Sequence, residues 1–192
     1  MIARLAEERD APALAAIYAP AVIERATSFE LVPPSAAEMA ARVAAVAAHY
    51  PWLVAEDGGK VLGFAYASRH RDRAAYAWSV DVSVYVHPDA HRRGIGRGLY
   101  RVLLRVLELQ GFRRAYAGAT LPNPASVGLH EAMGFRPIGV YEAVGHKFGR
   151  WHDVAWFGRP LAPLSADPAP PLTMDEVRAH PAWQETISWR TT

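Results

Sequence analysis

The chain has 192 residues, of which 51% are hydrophobic and 21% charged, with a net charge of +2. That length fits a single domain burying about two-thirds of its unfolded surface, and so small a net charge makes no case for a nucleic-acid partner. Cysteine is absent, which excludes a disulfide framework, a thiolate nucleophile and a thiolate-bound metal. No apolar run reaches the length of a membrane span and the N-terminus lacks a signal-peptide core, so we expect a cytoplasmic protein without a membrane partner.

Residues 2–6 form the first candidate strand. A helix over 10–23 follows, with Asp10 as its cap and Pro12 in its first turn. Residues 27–31 are a loop or short strand before Pro33 and Pro34. Ser35 and Glu38 make a capping box, and Met39, Val43 and Val46 stripe the helix it opens. Strands over 52–56 and 61–68 are joined by Asp57-Gly58-Gly59-Lys60, a strong hairpin turn. Residues 69–73 are a charged loop, and 76–87 a long strand. A helix over 96–110 carries Leu99, Val102, Leu103, Val106 and Leu107 on one face, with Gly111 as its stop. Next come a strand near 113–120, a helix over 124–133, and strands near 136–143 and 154–161. Residues 163–171 are a Pro/Ala-rich linker, after which Thr173 and Glu176 cap one last short helix ending before Pro181. The expected division is a domain over 1–162 and a tail over 163–192.

The most telling stretch joins the 76–87 strand to the helix after it: His91-Arg92-Arg93-Gly94-Ile95-Gly96-Arg97-Gly98. Amides at a helix start lack intrahelical partners and carry the positive end of the dipole, so they bind phosphate. The glycines let a phosphate approach the backbone, and Arg92, Arg93 and Arg97 offer charge-assisted hydrogen bonds of roughly 1.5–3 kcal/mol each. A P-loop would need Gly-Lys-Ser/Thr, and a dinucleotide turn G-x-G-x-x-G; neither is present. A nucleic-acid loop would need aromatic platforms, which do not accompany it, and the bland alternative is a solvated basic turn.

The turn resembles the pyrophosphate loop of the GNAT acetyltransferases, written Q/R-x-x-G-x-G/A, with His91 in place of the first Gln or Arg. Val84-Tyr85-Val86, Leu121-Pro-Asn-Pro-Ala-Ser126, Leu129-His-Glu-Ala-Met-Gly-Phe135 and Gly145-His-Lys-Phe-Gly-Arg-Trp-His-Asp153 are similar to the phosphinothricin N-acetyltransferase branch of that superfamily. The resemblance spans roughly residues 2–161. It implies an α+β fold, a mixed, mostly antiparallel twisted sheet flanked by helices and splayed at an acetyl-CoA site. The order of the elements read above agrees with that layout.

Acetyl transfer to an amine needs a bound acetyl-CoA, a neutral amine, a donor for the developing oxyanion and a proton for the departing thiolate. The resemblance assigns the cosubstrate to the turn over 92–98 and to the backbone of Val84, Tyr85 and Val86, which pairs with the pantetheine arm like an extra strand. It also gives Asn123 a hydrogen bond to the pantetheine, although Asn123 before Pro124 would serve as a helix N-cap under any function. Asp81 is an acid within an apolar strand and must face water, a partner or a site, since an unpaired buried charge costs several kcal/mol. It stands where the family carries a Glu that accepts the amine's proton; Asp is one methylene shorter, so direct contact and a bridging water both remain open. His130 stands where many relatives carry a Tyr that protonates the thiolate, as acid or relay. Arg71 and Arg73 are candidates for a substrate carboxylate or phosphinate, with Tyr76 as a pocket wall. Lys147, Arg150 and Trp151 are further candidates acting across a homodimer interface. The eight histidines show no compact ligand cluster, so no metal is expected.

The expected function is acetyl-CoA-dependent N-acetylation of a small amino-acid-like amine such as phosphinothricin or methionine sulfoximine. The alternatives are acetylation of another amine (an antibiotic, a polyamine or a protein N-terminus) and a non-catalytic acetyl-CoA sensor.

Overall fold

The computed structural model describes residues 1–189; residues 190–192, the end of the expected tail, lie outside the described residues. In chain order the elements are β1 (Ile2–Leu5), α1 (Ala11–Ile23), α2 (Ala36–Val46), β2 (Trp52–Asp57), β3 (Lys60–Arg69), β4 (Ser79–Val86), α3 (Ile95–Gln110), β5 (Arg114–Thr120), α4 (Pro124–Ala132), β6 (Arg136–Lys147), β7 (Arg150–Pro160), α5 (Met174–Ala179) and α6 (Trp183–Ile187). The strands make one sheet in the order β1-β2-β3-β4-β5-β7-β6. Every neighbouring pair is antiparallel except β4 and β5. This is the mixed, mostly antiparallel α+β architecture expected from the sequence.

The sheet is buried on both faces, which is why β2 reads as an unbroken apolar run. Leu53 and Ala55 face α3, packing with Leu99, Leu103 and Leu107, whereas the alternate Trp52 and Val54 face α1 and α2, packing with Leu14, Ile17 and Met39. Trp52, Phe64 and Tyr66 stack across that second face, with Trp52 and Tyr66 at 4.2 Å between centroids.

The feature that positions the site is a fork in this sheet. The parallel pairing of β4 with β5 covers only Ser79↔Arg114, Val80↔Ala115 and Asp81↔Tyr116. Beyond Asp81 the two strands part, while β4 keeps its antiparallel partner β3 as far as Val86 and β5 keeps β7 as far as Thr120. Each wall of the fork is therefore held from behind, and the inner edge of β4 over 82–86 has no strand partner.

Three elements differ from the sequence reading. The long strand expected over 76–87 is β4 alone, because residues 74–76 form a short 3-10 turn. β6 runs past 143 to Lys147 and β7 begins before 154 at Arg150, forming a continuous hairpin closed at Phe148 (φ 52°) and Gly149 (φ 74°). Positive φ at both positions matches the twist of the strands. A bulge between Tyr141 and Gly145 interrupts the alternation that would have revealed the strand; there Ala143 donates its backbone N–H to Asp153 Oδ1 at 2.8 Å.

The tail contains two helices rather than one, and it docks. Met174, Val177 and Trp183 are buried in the same core as α3. Gln110 Nε2 donates to the His49 and Leu172 carbonyls, each at 2.9 Å, and Arg105 donates to the carbonyls of Thr186 (3.1 Å) and Ser188 (2.6 Å). Trp189 reaches the first turn of α3, its ring lying where a Cβ on Gly98 would stand.

Candidate active site

The turn after β4 is tied back to the strand that precedes it. His91 Nε2–H donates to the Val86 carbonyl at 3.0 Å, and Gly94 caps α3 in the left-handed region (φ 76°), a conformation that costs glycine nothing. This arrangement directs the amides at the start of α3 toward a cleft of about 730 Å³ in the fork of the sheet. Of the expected cosubstrate residues, Val84, Tyr85, Val86, Arg92, Gly94, Ile95, Gly96, Arg97 and Asn123 all line this cleft, and Gly118, Ala119 and Thr120 of β5 form the opposite wall. Asn123 is the N-cap of α4, its Oδ1 accepting the Ser126 N–H at 3.1 Å, so its Nδ2 remains available to a ligand.

Two expected members do not face the cleft. Arg93 pairs with Asp57 of the β2–β3 turn at 3.5 Å, and Gly98 points to the outer side of α3 against Trp189. Successive helical residues are rotated by about 100°, so Gly96 and Gly98 cannot share a face.

Asp81 is the last β4 residue registered with β5, and it sits at the base of the fork. Its Oδ1 lies 2.7 Å from His70 Nδ1, a partner that the sequence reading missed. Burial raises the Asp81 carboxyl above the usual range, and the His70 hydrogen bond partly opposes that shift. His70 stacks on Tyr116 at 4.5 Å and meets Tyr76 edge-on at 5.8 Å. Arg71 is exposed, donates to the His70 carbonyl at 2.7 Å and adds its charge to the surroundings of Asp81. Arg73 is exposed at the start of the 74–76 turn. Arg71 and Tyr76 thus gather around the Asp81–His70 pair, whereas no hydrogen bond or ion pair among the described residues joins Arg73 to it. On the same face of the sheet, Ser68 opposes Asp81 and opens a smaller cleft of about 270 Å³ toward Tyr66, Phe64 and Arg42. Glu30 holds Arg42 by two hydrogen bonds at 2.7 and 2.8 Å.

His130 borders the large cleft but is only 3% exposed. Its ring stacks on Phe157 at 5.3 Å and meets Phe135 edge-on, with Nε2 3.1 Å from the Tyr100 hydroxyl. Desolvation lowers its pKa, which favours a neutral ring over an imidazolium. Lys147 does not reach outward: it is buried, and its Nζ donates to the Ser28 carbonyl of its own chain at 2.6 Å. Arg150 and Trp151 are exposed near the hairpin tip. Among the described residues no group of three or more His, Asp or Glu is placed to hold a metal ion, and no helix is long and apolar enough to cross a membrane.

Residues 3–156 match the family model described as an acetyltransferase (GNAT) domain. The chain belongs to the GNAT acetyltransferases. Within this family it is 46% identical over 160 residues to a phosphinothricin N-acetyltransferase of Alcaligenes faecalis, covering 82% of this chain and 81% of the relative. It is 35% identical to an L-methionine sulfoximine/L-methionine sulfone acetyltransferase of Pseudomonas paraeruginosa, covering 83% and 94%. Among solved structures, a GNAT phosphinothricin acetyltransferase of Sinorhizobium meliloti in complex with AcCoA superposes with a TM-score of 0.83 at 39% identity, covering 87% of this chain and 92% of that one. This chain is an acetyl-CoA-dependent N-acetyltransferase. Its fork fits that cosubstrate on two physical counts: an unpaired strand edge for the amides of a pantetheine arm, and a helix N-terminus with Arg92 and Arg97 for a pyrophosphate.

Proposed function

We propose that this enzyme acetylates the amino group of a small amino-acid-like acceptor of the phosphinothricin or methionine sulfoximine type, acting in the cytoplasm as a homodimer. The observation that carries the reading is the fork, which sets an open strand edge and a phosphate-binding helix start on one cleft, with the half-buried Asp81 carboxylate at the last strand pairing before the fork opens. Acetyl-CoA supplies an activated acyl carbon and a good leaving group. Arg92, Arg97 and the amides over 94–97 hold its pyrophosphate, the backbone of Val84, Tyr85 and Val86 aligns the pantetheine, and Asn123 Nδ2 adds a hydrogen bond. A backbone N–H of β4 facing the fork polarises the thioester carbonyl without reorganising. Asp81 stabilises the positive charge that develops as the amine reacts, Arg71 and Arg73 receive the acceptor's own acidic group, and Tyr76 walls the pocket. His130 orders Tyr100 at the cleft wall. Residues 1–162 carry this chemistry, and the tail braces α3 from outside.

The dimer is supported by β6, an edge strand of 12 residues that leaves Ile138, Val140, Tyr141 and Val144 about half exposed or more. An apolar edge of that length invites pairing with a second copy. Light scattering on the purified chain tests it, and a monomer at micromolar concentration contradicts it.

The acceptor class is tested by thiol release from acetyl-CoA with a panel of amines: phosphinothricin, methionine sulfoximine, a polyamine, an aminoglycoside and a peptide with a free N-terminus. Release with the first two alone supports the reading. Preference for a polyamine or peptide would move the enzyme to another acceptor class, and no release with any amine would favour a sensor.

A further inference from the structure

We infer that His70, held by Asp81, is the group that takes the proton from the reacting amine, so that the two act as a carboxylate–imidazole pair. This rests on the acetyltransferase reading above and goes beyond it, since no role read from the sequence falls on residue 70.

The Asp81 side chain is short, and its Oδ1 is already engaged by a hydrogen bond of 2.7 Å to His70 Nδ1. An ionised carboxylate can only accept, so the shared proton sits on Nδ1 and the lone pair of a neutral ring is left on Nε2. No protein atom among the described residues makes a hydrogen bond to Nε2. The ring plane is fixed by stacking on Tyr116 and by the edge of Tyr76. Tyr116 is itself the β5 residue registered with Asp81 at the last pairing before the strands part. The imidazole is therefore clamped on three sides at the base of the fork, with tautomer and orientation set by the carboxylate. This is the arrangement by which a carboxylate makes an imidazole an effective proton acceptor. The charged group beside the pair is Arg71, whose guanidinium bonds the His70 carbonyl; it favours the ionised form of Asp81.

The amine reacts in its neutral form. Nitrogen forms its bond to the acyl carbon, the carbon–sulfur bond breaks with its electron pair leaving on sulfur, and the proton on nitrogen passes to His70 Nε2. Solvent then protonates the sulfur, and the imidazolium returns its proton to solvent.

The test uses two variants and one measurement on the unmodified protein. In His70→Asn the amide Nδ2–H replaces Nδ1–H toward Asp81, but no basic lone pair remains. In His70→Ala both are lost. We expect kcat to fall about 100-fold or more in each, the usual worth of a positioned proton acceptor. The KM for acetyl-CoA should stay within about twofold, and free imidazole should restore part of the activity of His70→Ala. An Asn variant that folds and keeps kcat within about threefold would overturn the proposal, leaving His70 as a support for Asp81. Should both variants fail to fold, the nitrogen NMR of wild-type histidine decides: protonated Nδ1 with bare Nε2 above neutral pH supports the pair, and the opposite tautomer overturns it. Failure of the acetyltransferase reading would look different, because the wild type itself would then release no thiol with any amine.

Discussion

Replacing Asp81 with Asn separates catalysis from stability. The substitution keeps the shape of the side chain and leaves an oxygen that still accepts from His70 Nδ1, now 2.7 Å from an ionisable carboxylate. What disappears is the charge. A hydrogen bond to a charged group contributes about 1.5–3 kcal/mol and a neutral one about 0.5–1.5 kcal/mol, a difference of about 1–1.5 kcal/mol. Realised wholly in the transition state, that difference lowers kcat by about tenfold. It is a lower bound, since the Asn amide can rotate and force the other imidazole tautomer, costing far more. Stability should move the other way. Burial holds the folded-state pKa of Asp81 above its ordinary value, so its contribution to stability is complete below the unfolded pKa and is lost as pH rises through the folded pKa. At neutral pH the ionised form weighs against the fold, and Asp81→Asn should melt at the same temperature or higher. Thiol release at saturating acetyl-CoA and acceptor gives kcat, and calorimetry gives Tm. A kcat within twofold of wild type, or a fall in Tm that matches the loss of activity, would refute the reasoning.

Arg97→Ala should raise the KM for acetyl-CoA about tenfold through one lost charge-assisted contact; Arg93→Ala, whose charge is paired with Asp57, should change it less than twofold. His130→Ala should lower Tm by several degrees, because it empties an aromatic cage and leaves Tyr100 without its 3.1 Å partner. Activity measured well below the melting range should fall less than the stability loss suggests, and a large kcat loss at unchanged Tm would instead make His130 part of the chemistry. Because burial lowers the His130 pKa, its contribution to stability is present above the unfolded value near 6.5 and is lost as pH falls through the folded pKa. A pH series of Tm should show that loss in wild type and not in His130→Ala. Met174→Ala should cost about 2–5 kcal/mol from its buried place under α3, measured by denaturant titration, and a cost below about 1 kcal/mol would mean that the tail does not brace the body.

What was legible in the sequence was local. The phosphate-binding turn and α3 announce themselves because Gly94 and Gly111 bracket an apolar stripe that needs no knowledge of the rest of the chain. β2 and β3 are legible for the same reason, with Gly58 and Gly59 between them. What escaped depends on register or on distant partners. His70 lies one residue beyond the end of β3, and its contact with Asp81 follows only from the Ser68↔Asp81 pairing. Within a charged loop it reads as solvated. Arg93 and Arg97 are equally basic, but Arg93 lies in the turn before the Gly94 cap and meets Asp57, whereas Arg97 lies in the first turn of α3 and borders the cleft. Gly98 looks like a phosphate glycine until Trp189, from the far end of the chain, is placed against it. The β6–β7 hairpin was cut short because its bulge breaks the alternation and its outer side chains are apolar yet exposed.

The claim that the fork and the turn share the cosubstrate between them is tested most directly by shortening the donor. Acetyl-pantetheine carries the thioester and the arm that would lie along β4 but has no pyrophosphate. Compared with acetyl-CoA on the wild type and on Arg97→Ala, the account predicts a loss in kcat/KM of about tenfold for the variant with acetyl-CoA and none with acetyl-pantetheine. Equal losses with both donors would contradict it, because Arg97 would then act on something other than the phosphates.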